Sequence, residues 1–309
     1  MIASLFRKST PFNYTVIIVM VLIFFLLYQF WQPTQDFTAG LLVQKVAIGV
    51  LIFASLFIVN FIVKKNNISK NNSYTILFFL IFLLFFPNIF GDINLVLSNF
   101  FILLALRRLM SLHSTKSYKE KIFDASLWIF VASFFHFWSV LFIVLVFISF
   151  FIHVSRDYKN WLLPFIALFA SSMTFILFSL MIDKTRIDYV LQGMEANFKI
   201  DYFTNVNENI AFSIYVTMAL FFLVTLFLTF SQRPLLLQSS YTKIVIAFVI
   251  GVAVFLISPD KGNEILVFTM APLSMIAASH IEIAESKLQK EVVVIVTFIL
   301  ALYNFFVQL

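Results

Sequence analysis

The chain reads IFDASLWIFVASFFHFWSVLFIVLVFISFFIHV from Ile122 to Val154, and this stretch decides how everything after it is oriented. As one helix, its roughly 30 apolar residues would extend about 45 Å, which exceeds the bilayer hydrocarbon core of about 30 Å. Two short helices that reverse at Phe135–Ser139 would instead place His136 and Trp138 at an interface, where such side chains are tolerated. We therefore expect a helical hairpin here, and a single long helix is the alternative.

Composition indicates a membrane protein. The chain is 62% hydrophobic and 12% charged, it contains 43 phenylalanines, and its mean hydropathy is +1.01. These values lie far outside the range of soluble domains. With about 20 residues per crossing, we expect an all-α, polytopic transmembrane bundle of about 11 spans, a single integral membrane domain over 1–309 with no soluble domain. Because the chain has no cysteine, disulfides and thiolate sites are excluded.

Nine further apolar segments have roughly the length of a crossing. They are Val16–Trp31, Gly40–Val63, Tyr74–Phe90, Ile93–Leu109, Leu162–Met181, Ile210–Phe230, Ile244–Ile257, Ile265–His280 and Val292–Val307. No small-x-small cleavage site follows the first one, so we expect a retained anchor rather than a signal peptide. The longest connection, 182–209, carries Ile187, Val190, Leu191 and Met194 at helical spacing. This spacing predicts an outer loop with a short amphipathic helix on the membrane plane.

The distribution of positive charge supports the hairpin. With a hairpin, 16 of the 21 lysines and arginines lie on the amino-terminal side and four lie opposite, whereas one long helix gives 14 and six. The positive-inside rule therefore favours a cytoplasmic amino terminus and a periplasmic carboxyl terminus. The abundance of Phe, Ile, Asn and Lys favours a bacterial source, so the membrane would be a bacterial inner membrane. The net charge of +6 then implies membrane lipids, and no nucleic acid, as partners.

The candidate site residues lie mainly at the predicted outer face. Asp36, the only charge in the first outer loop, and His136, set among aromatic residues, are the catalytic candidates. Lys45 and Asp92 are candidates for binding substrate or lipid, because a lysine within a span is a functional hypothesis by default. The alternatives are solvated loop acids, a histidine bonded to a backbone carbonyl at the turn, and a lysine that snorkels.

Cofactor chemistry has no signature in this sequence. There is no Walker A loop and no paired metal-ligand motif, so neither a metal nor a cofactor is predicted. Outer carboxylates together with a histidine could still supply a general base or hold a divalent cation.

Two resemblances rest on residues 94–166. The RRL of the fourth span, KIFDAS and ASFFHFWSVLF resemble an uncharacterised family of polytopic inner-membrane proteins from Bacteroidota. The ASFFHFWSVLF turn is also similar to that of EpsG-like polysaccharide polymerases and the wider GT-C glycosyltransferases. Those enzymes use lipid-linked sugars, and the GT-C members place a catalytic acid in the first outer loop. That resemblance implies Asp36 as the acid and His136 as the histidine of the polymerase-like run.

Two functions follow as expectations. The first is a non-catalytic subunit or scaffold of a bacterial envelope complex for secretion, gliding, or lipid or glycan handling, with other envelope membrane proteins as partners. The alternative is glycosyl transfer or polysaccharide polymerisation with a polyprenyl-linked sugar at the periplasmic face. The first ranks ahead because an enzyme acting on lipid phosphates needs more cations than the four at that face. A transporter ranks third.

Overall fold

The computed structural model describes residues 2–31, 39–113, 117–153, 158–199, 205–259 and 261–309. These residues form thirteen α-helices and several short 3-10 helices, and they contain no strand. The α-helices are α1 (Ile2–Leu5), α2 (Pro11–Trp31), α3 (Ala39–Lys65), α4 (Tyr74–Leu84), α5 (Ile93–Met110), α6 (Tyr118–Ser133), α7 (Ile143–His153), α8 (Leu163–Ile182), α9 (Thr185–Gln192), α10 (Val206–Thr229), α11 (Leu235–Ile257), α12 (Val267–Ile283) and α13 (Lys287–Gln308). The predicted all-α class is confirmed for the described chain.

Eight helical segments of the described chain are long and apolar enough to cross a membrane. They are Pro11–Trp31, Ala39–Lys65, Ile93–His113, Asn160–Ile182, Val206–Gln232, Leu235–Ile257, Asn263–Ile283 and Lys287–Gln308. The protein is therefore a polytopic helical membrane protein. The number is below the predicted 11 because α4, α6 and α7 have only 11, 16 and 11 residues.

The stretch 122–154 forms two helices instead of one. Helix α6 ends at Ser133, a 3-10 helix spans Phe137–Phe142, and α7 follows. The backbone N–H of His136 donates to the Ala132 carbonyl at 3.1 Å, and the Ser139 N–H donates to the His136 carbonyl at 3.1 Å. Both α6 and α7 pack against the short helix 111–113, so the chain reverses between them. The predicted break is confirmed, and the single long helix is excluded.

The connections between helices gather at two ends of the bundle. We call the first the turn end, which contains residues 87–92, 134–142, 183–199, 258–259 and 261–266. Long-range hydrogen bonds join these segments to one another and to the adjoining helices. Asn197 Nδ2 donates to the Pro259 carbonyl at 3.3 Å, and Gln29 Nε2, in α2, donates to the Phe90 carbonyl at 2.8 Å.

We call the opposite end the basic end. It contains residues 66–73, 111–113, 230–234 and 284–286 together with the adjoining helix ends. Its cations are Lys70 and Arg233 in the connections, Lys64 and Lys65 at the end of α3, and Arg107 and Arg108 at the end of α5. The His113 ring nitrogen Nε2 lies 3.1 Å from Asn66 Oδ1, and the Tyr241 hydroxyl donates to the Ile68 carbonyl at 3.0 Å. Each of these hydrogen bonds therefore joins the connection 66–73 to a segment that is far from it in the sequence.

Helices α4 and α12 form the centre of the bundle. Every residue of α4 is buried, and α12 is buried from Val267 to Ser279. Their aromatic and hydroxyl side chains interlock with α10, where the Tyr215 hydroxyl lies 2.7 Å from Thr269 Oγ1. Helices α2 and α8 lie at the periphery, and their large exposed apolar residues suit a lipid surface.

The predicted boundaries differ from the structure mainly at two spans. The segment expected at Tyr74–Phe90 is α-helical only to Leu84, and a 3-10 helix follows at Pro87–Phe90. Helix α11 begins nine residues before the predicted Ile244, so Lys243 is not in a loop. Lys243 is fully buried, and its Nζ donates to the Leu109 carbonyl at 2.9 Å. This hydrogen bond allows the helix to continue through a residue that hydropathy assigns to the aqueous side.

Candidate ligand site at the turn end

A cavity of about 430 Å³ opens at the turn end of the bundle. It lies between the start of α5, the hairpin turn, α9 with the loop after it, and the 3-10 helix Asn263–Leu266. Its polar lining side chains are Asp92, Ser133, His136, Trp138, Tyr189, Gln192, Glu195 and Glu264. This volume falls within the usual range of small-molecule sites, about 300–1,000 Å³.

His136 occupies the last position before the 3-10 helix of the hairpin and is half-buried. Its Nε2 lies 3.0 Å from Ser258 Oγ, and the Ser258 hydroxyl donates to the Val254 carbonyl at 2.7 Å. Because a hydroxyl has only one proton, Ser258 must accept from His136, which places the imidazole proton on Nε2. The second ring nitrogen, Nδ1, is then an acceptor. The alternative prediction that His136 bonds to a backbone carbonyl at the turn is wrong, because its partner is the hydroxyl of Ser258 from another connection.

Asp92 caps the first turn of α5 at the edge of the cavity. Its Oδ1 accepts from the backbone N–H groups of Asn94 at 2.9 Å and Leu95 at 3.0 Å. These bonds satisfy two of the backbone donors that a helix leaves without an intrahelical partner at its start. Asp92, predicted for binding, and His136, predicted as catalytic, are 44 positions apart in the chain and line the same cavity.

The segment 183–199 covers one side of the cavity. The Tyr189 hydroxyl donates to the Phe135 carbonyl at 3.0 Å, and Trp138 Nε1 donates to the Glu195 carbonyl at 3.2 Å. Helix α9 starts at a turn in which Asp183 Oδ1 accepts from Thr185 N at 3.0 Å and from Thr185 Oγ1 at 2.7 Å. These two bonds lower the pKa of Asp183 below its ordinary value. Helix α9 therefore packs on the hairpin turn, and its predicted position on the membrane plane stays a prediction.

The charge of the cavity is negative. Asp92, Glu195 and Glu264 line it, and its described lining residues include no lysine or arginine. Glu264 belongs to the 3-10 helix, and its carboxylate folds back over Gly262, where an added Cβ would collide with it. A site with this charge favours neutral, hydroxyl-rich or cationic groups over a phosphate, which the carboxylates would repel.

The remaining predicted site residues do not join this cavity. Lys45 lies in the second turn of α3, half-buried, and is not among the lining residues. Its role in lipid binding stays a prediction. Asp36 lies outside the described residues, as does Asp260. Among the described residues, no group of three or more histidines and carboxylates is arranged to hold a metal ion.

Several residues at the cavity were not predicted from the sequence. Ser258 contacts His136 across 122 positions of the chain, and Tyr189, Gln192 and Glu195 come from a loop read as interfacial. The available signal was the turn chemistry of SPDKGNE, 258–264, which places polar residues at the same end as the hairpin turn.

Comparison with known proteins gives a family and no activity. No curated protein and no solved structure matches the chain. One family model, described as a family of unknown function (DUF6427), matches residues 1–309. The similarities to Bacteroidota inner-membrane proteins and to EpsG-like enzymes stay predictions. Since the match covers the whole chain, the protein belongs to the DUF6427 family.

Proposed function

We propose that this protein is a non-catalytic subunit of a bacterial envelope complex that handles glycans, and that it holds a neutral saccharide in the turn-end cavity. The cavity itself is the observation that supports this proposal. It combines the faces of Trp138 and Tyr189 with hydrogen-bond acceptors on Asp92 and Glu264. Sugars present apolar faces to aromatic rings and hydroxyl donors to carboxylates.

The proposal places the chain in the inner membrane with eleven crossings, the basic end in the cytoplasm and the turn end in the periplasm. Helices α6 and α7 would each cross as part of the hairpin, and α4 with the residues up to Phe90 would cross once. The antiparallel arrangement of α6 and α7 supports this count, as does the gathering of connections at two ends. The positive-inside rule supports the orientation.

Cysteine labelling tests the topology directly, because the native chain contains no cysteine. We expect Lys70→Cys and Lys287→Cys to resist a membrane-impermeant maleimide in intact cells, whereas Thr185→Cys reacts. Lys70 precedes the hairpin and Lys287 follows it, so only an even number of crossings between them keeps both on one side. Labelling of Lys287→Cys but not Lys70→Cys would contradict the eleven-crossing count.

Glycosyl transfer is the second candidate, and one observation favours it. His136, with Nδ1 as an open acceptor, lines the same cavity as Asp92, so a base and a carboxylate are present together. The negative lining opposes it, because a polyprenyl phosphate donor would need cations near the reacting group. A catalytic role requires His136→Ala to abolish turnover of a lipid-linked sugar while the protein level is unchanged.

The deciding experiment is purification from native membranes in a mild detergent, followed by mass spectrometry of the associated proteins and saccharides. We expect stoichiometric envelope proteins and a saccharide that Trp138→Ala reduces by about tenfold, as the loss of a stacking and hydrogen-bonding side chain implies. Trp161→Ala is the matched control, because Trp161 packs against Phe147 and Phe150 and does not line the cavity. A solitary protein that converts a lipid-linked sugar would overturn the subunit proposal in favour of the enzyme.

A further inference from the structure

A second concave surface lies at the basic end, far from the turn-end cavity. This groove has a volume of about 770 Å³ and is formed by α10, α12 and α13 together with the connections 230–234 and 284–286. Its floor includes Ile276 and His280, and its walls include Thr225 and Val292. We call it the basic-end groove.

The groove is polar at one end and apolar along its length. Arg233 and Glu285 line the polar end, where the helices meet the connections. Along α10 the lining runs from Thr229 to Phe221, a stretch of nine residues that extends about 12 Å. The rim is open, since Leu228 is 73% exposed and Leu288 is 76% exposed. In a bilayer, this geometry opens the groove sideways to lipid chains with its charged end at the interface.

The two charges at the polar end are not neutralised by each other. Arg233 Nη2 donates to Thr229 Oγ1 at 3.3 Å, and its guanidinium lies 4.0 Å from the centre of the Tyr241 ring. Its Nε is buried and has no hydrogen-bond partner among the described residues. Among the described residues, the only ion pair joins Arg108 to Asp124, so Arg233 and Glu285 do not form a salt bridge with each other. An unpartnered buried donor costs free energy that a ligand acceptor can recover.

We propose that the basic-end groove binds a phospholipid with an ethanolamine headgroup. The lipid phosphate accepts from Arg233, the headgroup ammonium donates to Glu285, and an acyl chain lies along the apolar lining towards Phe221. A cation and a carboxylate at one groove mouth match a zwitterion better than an anion, which Glu285 repels. A choline headgroup fits less well, because a quaternary ammonium has no N–H to donate to the carboxylate.

This assignment is independent of the saccharide proposal, since the two surfaces lie at opposite ends of the bundle. Lys287 and Lys290 also lie near the start of α13 and attract any anionic headgroup. An anionic phospholipid is therefore the competitor that the experiment must separate from the ethanolamine lipid.

The test measures lipid retention on the purified full chain. The protein is reconstituted in nanodiscs that contain equal amounts of phosphatidylethanolamine, phosphatidylcholine and phosphatidylglycerol, and retained lipids are quantified by native mass spectrometry. We expect preferential retention of phosphatidylethanolamine by the wild type and about tenfold weaker retention by Arg233→Gln, as the loss of a charge-assisted hydrogen bond implies. Glu285→Gln should shift the preference towards phosphatidylglycerol.

Two controls separate binding from folding. Arg107 also stacks on an aromatic ring, since its guanidinium lies 4.6 Å from the centre of the Phe61 ring, but it does not line the groove. Arg107→Gln should therefore leave lipid retention unchanged. Arg233→Gln also removes the stacking on Tyr241, so a second variant must keep that contact. Val292→Trp fills the groove with Arg233 unchanged, and it should lose the lipid as well. Preference for phosphatidylglycerol in the wild type, equal retention of all three lipids, or an unchanged preference in Glu285→Gln would each overturn the proposal.

Discussion

Gly251 in α11 lies in close contact with α12 in the core. An added Cβ would lie 2.8 Å from Thr269 Cγ2 and 3.1 Å from both the carbonyl carbon and the carbonyl oxygen of Phe268. The methyl group of a side chain can rotate away, but the backbone of α12 cannot move without displacing the buried centre. Gly251→Ala should therefore cost about 1–3 kcal/mol by overpacking, and the higher helix propensity of alanine offsets at most about 1 kcal/mol.

The assay is thermal or SDS-induced unfolding of the purified protein in detergent. Gly40→Ala is the matched control, because Gly40 lies in the first turn of α3 and, among the described residues outside its own stretch of helix, nothing comes within 4 Å of its added Cβ. That control should be neutral or stabilised by up to about 1 kcal/mol. A second readout follows from the position of Ser258 immediately after α11, since displacement of α11 should loosen its hydrogen bond to His136. Equal stabilities of Gly251→Ala and Gly40→Ala would refute the close packing.

Two further predictions concern the two ends of the bundle. Glu282→Gln should destabilise the protein by about 1–2 kcal/mol and expose 66–73 to protease, because the carboxylate accepts from the Lys70 N–H and from Asn72 Nδ2. Thr185→Val should raise the pKa of Asp183 towards its ordinary value by removing a hydroxyl donor. Because the pKa of Asp183 is depressed in the folded protein, its hydrogen bonds to Thr185 stabilise the start of α9 at pH values above that pKa, and this stabilisation is lost as the pH falls through it. Hydrogen exchange of the backbone amides of residues 183–187, recorded as a function of pH, measures the loss.

Most helix positions were predictable because hydropathy alone dictates them in a membrane protein. The span expected at Ile93–Leu109 became Ile93–Met110, and the span at Leu162–Met181 became Leu163–Ile182. The start of α11 was not predictable, because the polar run before Ile244 looks aqueous and only tertiary contacts bury it. The buried Lys243 donates to the Leu109 carbonyl, 134 residues away in the chain. A local sequence pattern cannot predict a partner at that distance.

The candidate site was predictable in part for a similar reason. Asp92 stood out through the turn PNIFGD, and His136 stood out as a polar residue within an apolar run. Glu264 is one of several carboxylates at the predicted outer face, and the sequence alone does not distinguish it from the others. Ser258 has no sequence signal of its own, because its relevance depends on its distance from His136. Sequence reasoning identified which groups lie at the turn end, and the packing of α11 against the hairpin determines which of them meet.

The interruptions of regular helix explain why the cavity lies where it does. Non-helical backbone within a membrane protein is stable only where protein or trapped water satisfies its polar groups. Three interruptions occur at the same end, namely 85–92, 134–142 and the described residues 258–259 and 261–266, and each one contributes lining residues to the turn-end cavity. Each interruption also carries turn residues in the sequence, namely the Pro and Gly of PNIFG, the His and Ser of HFWS, and the Pro and Gly of SPDKG. Alternate connections of the bundle meet at this end, and this arrangement brings lining residues from three distant parts of the chain into one cavity. If the cavity were only a by-product of short helices, Trp138→Ala and Glu264→Gln would leave the proteins and saccharides that co-purify with the chain unchanged.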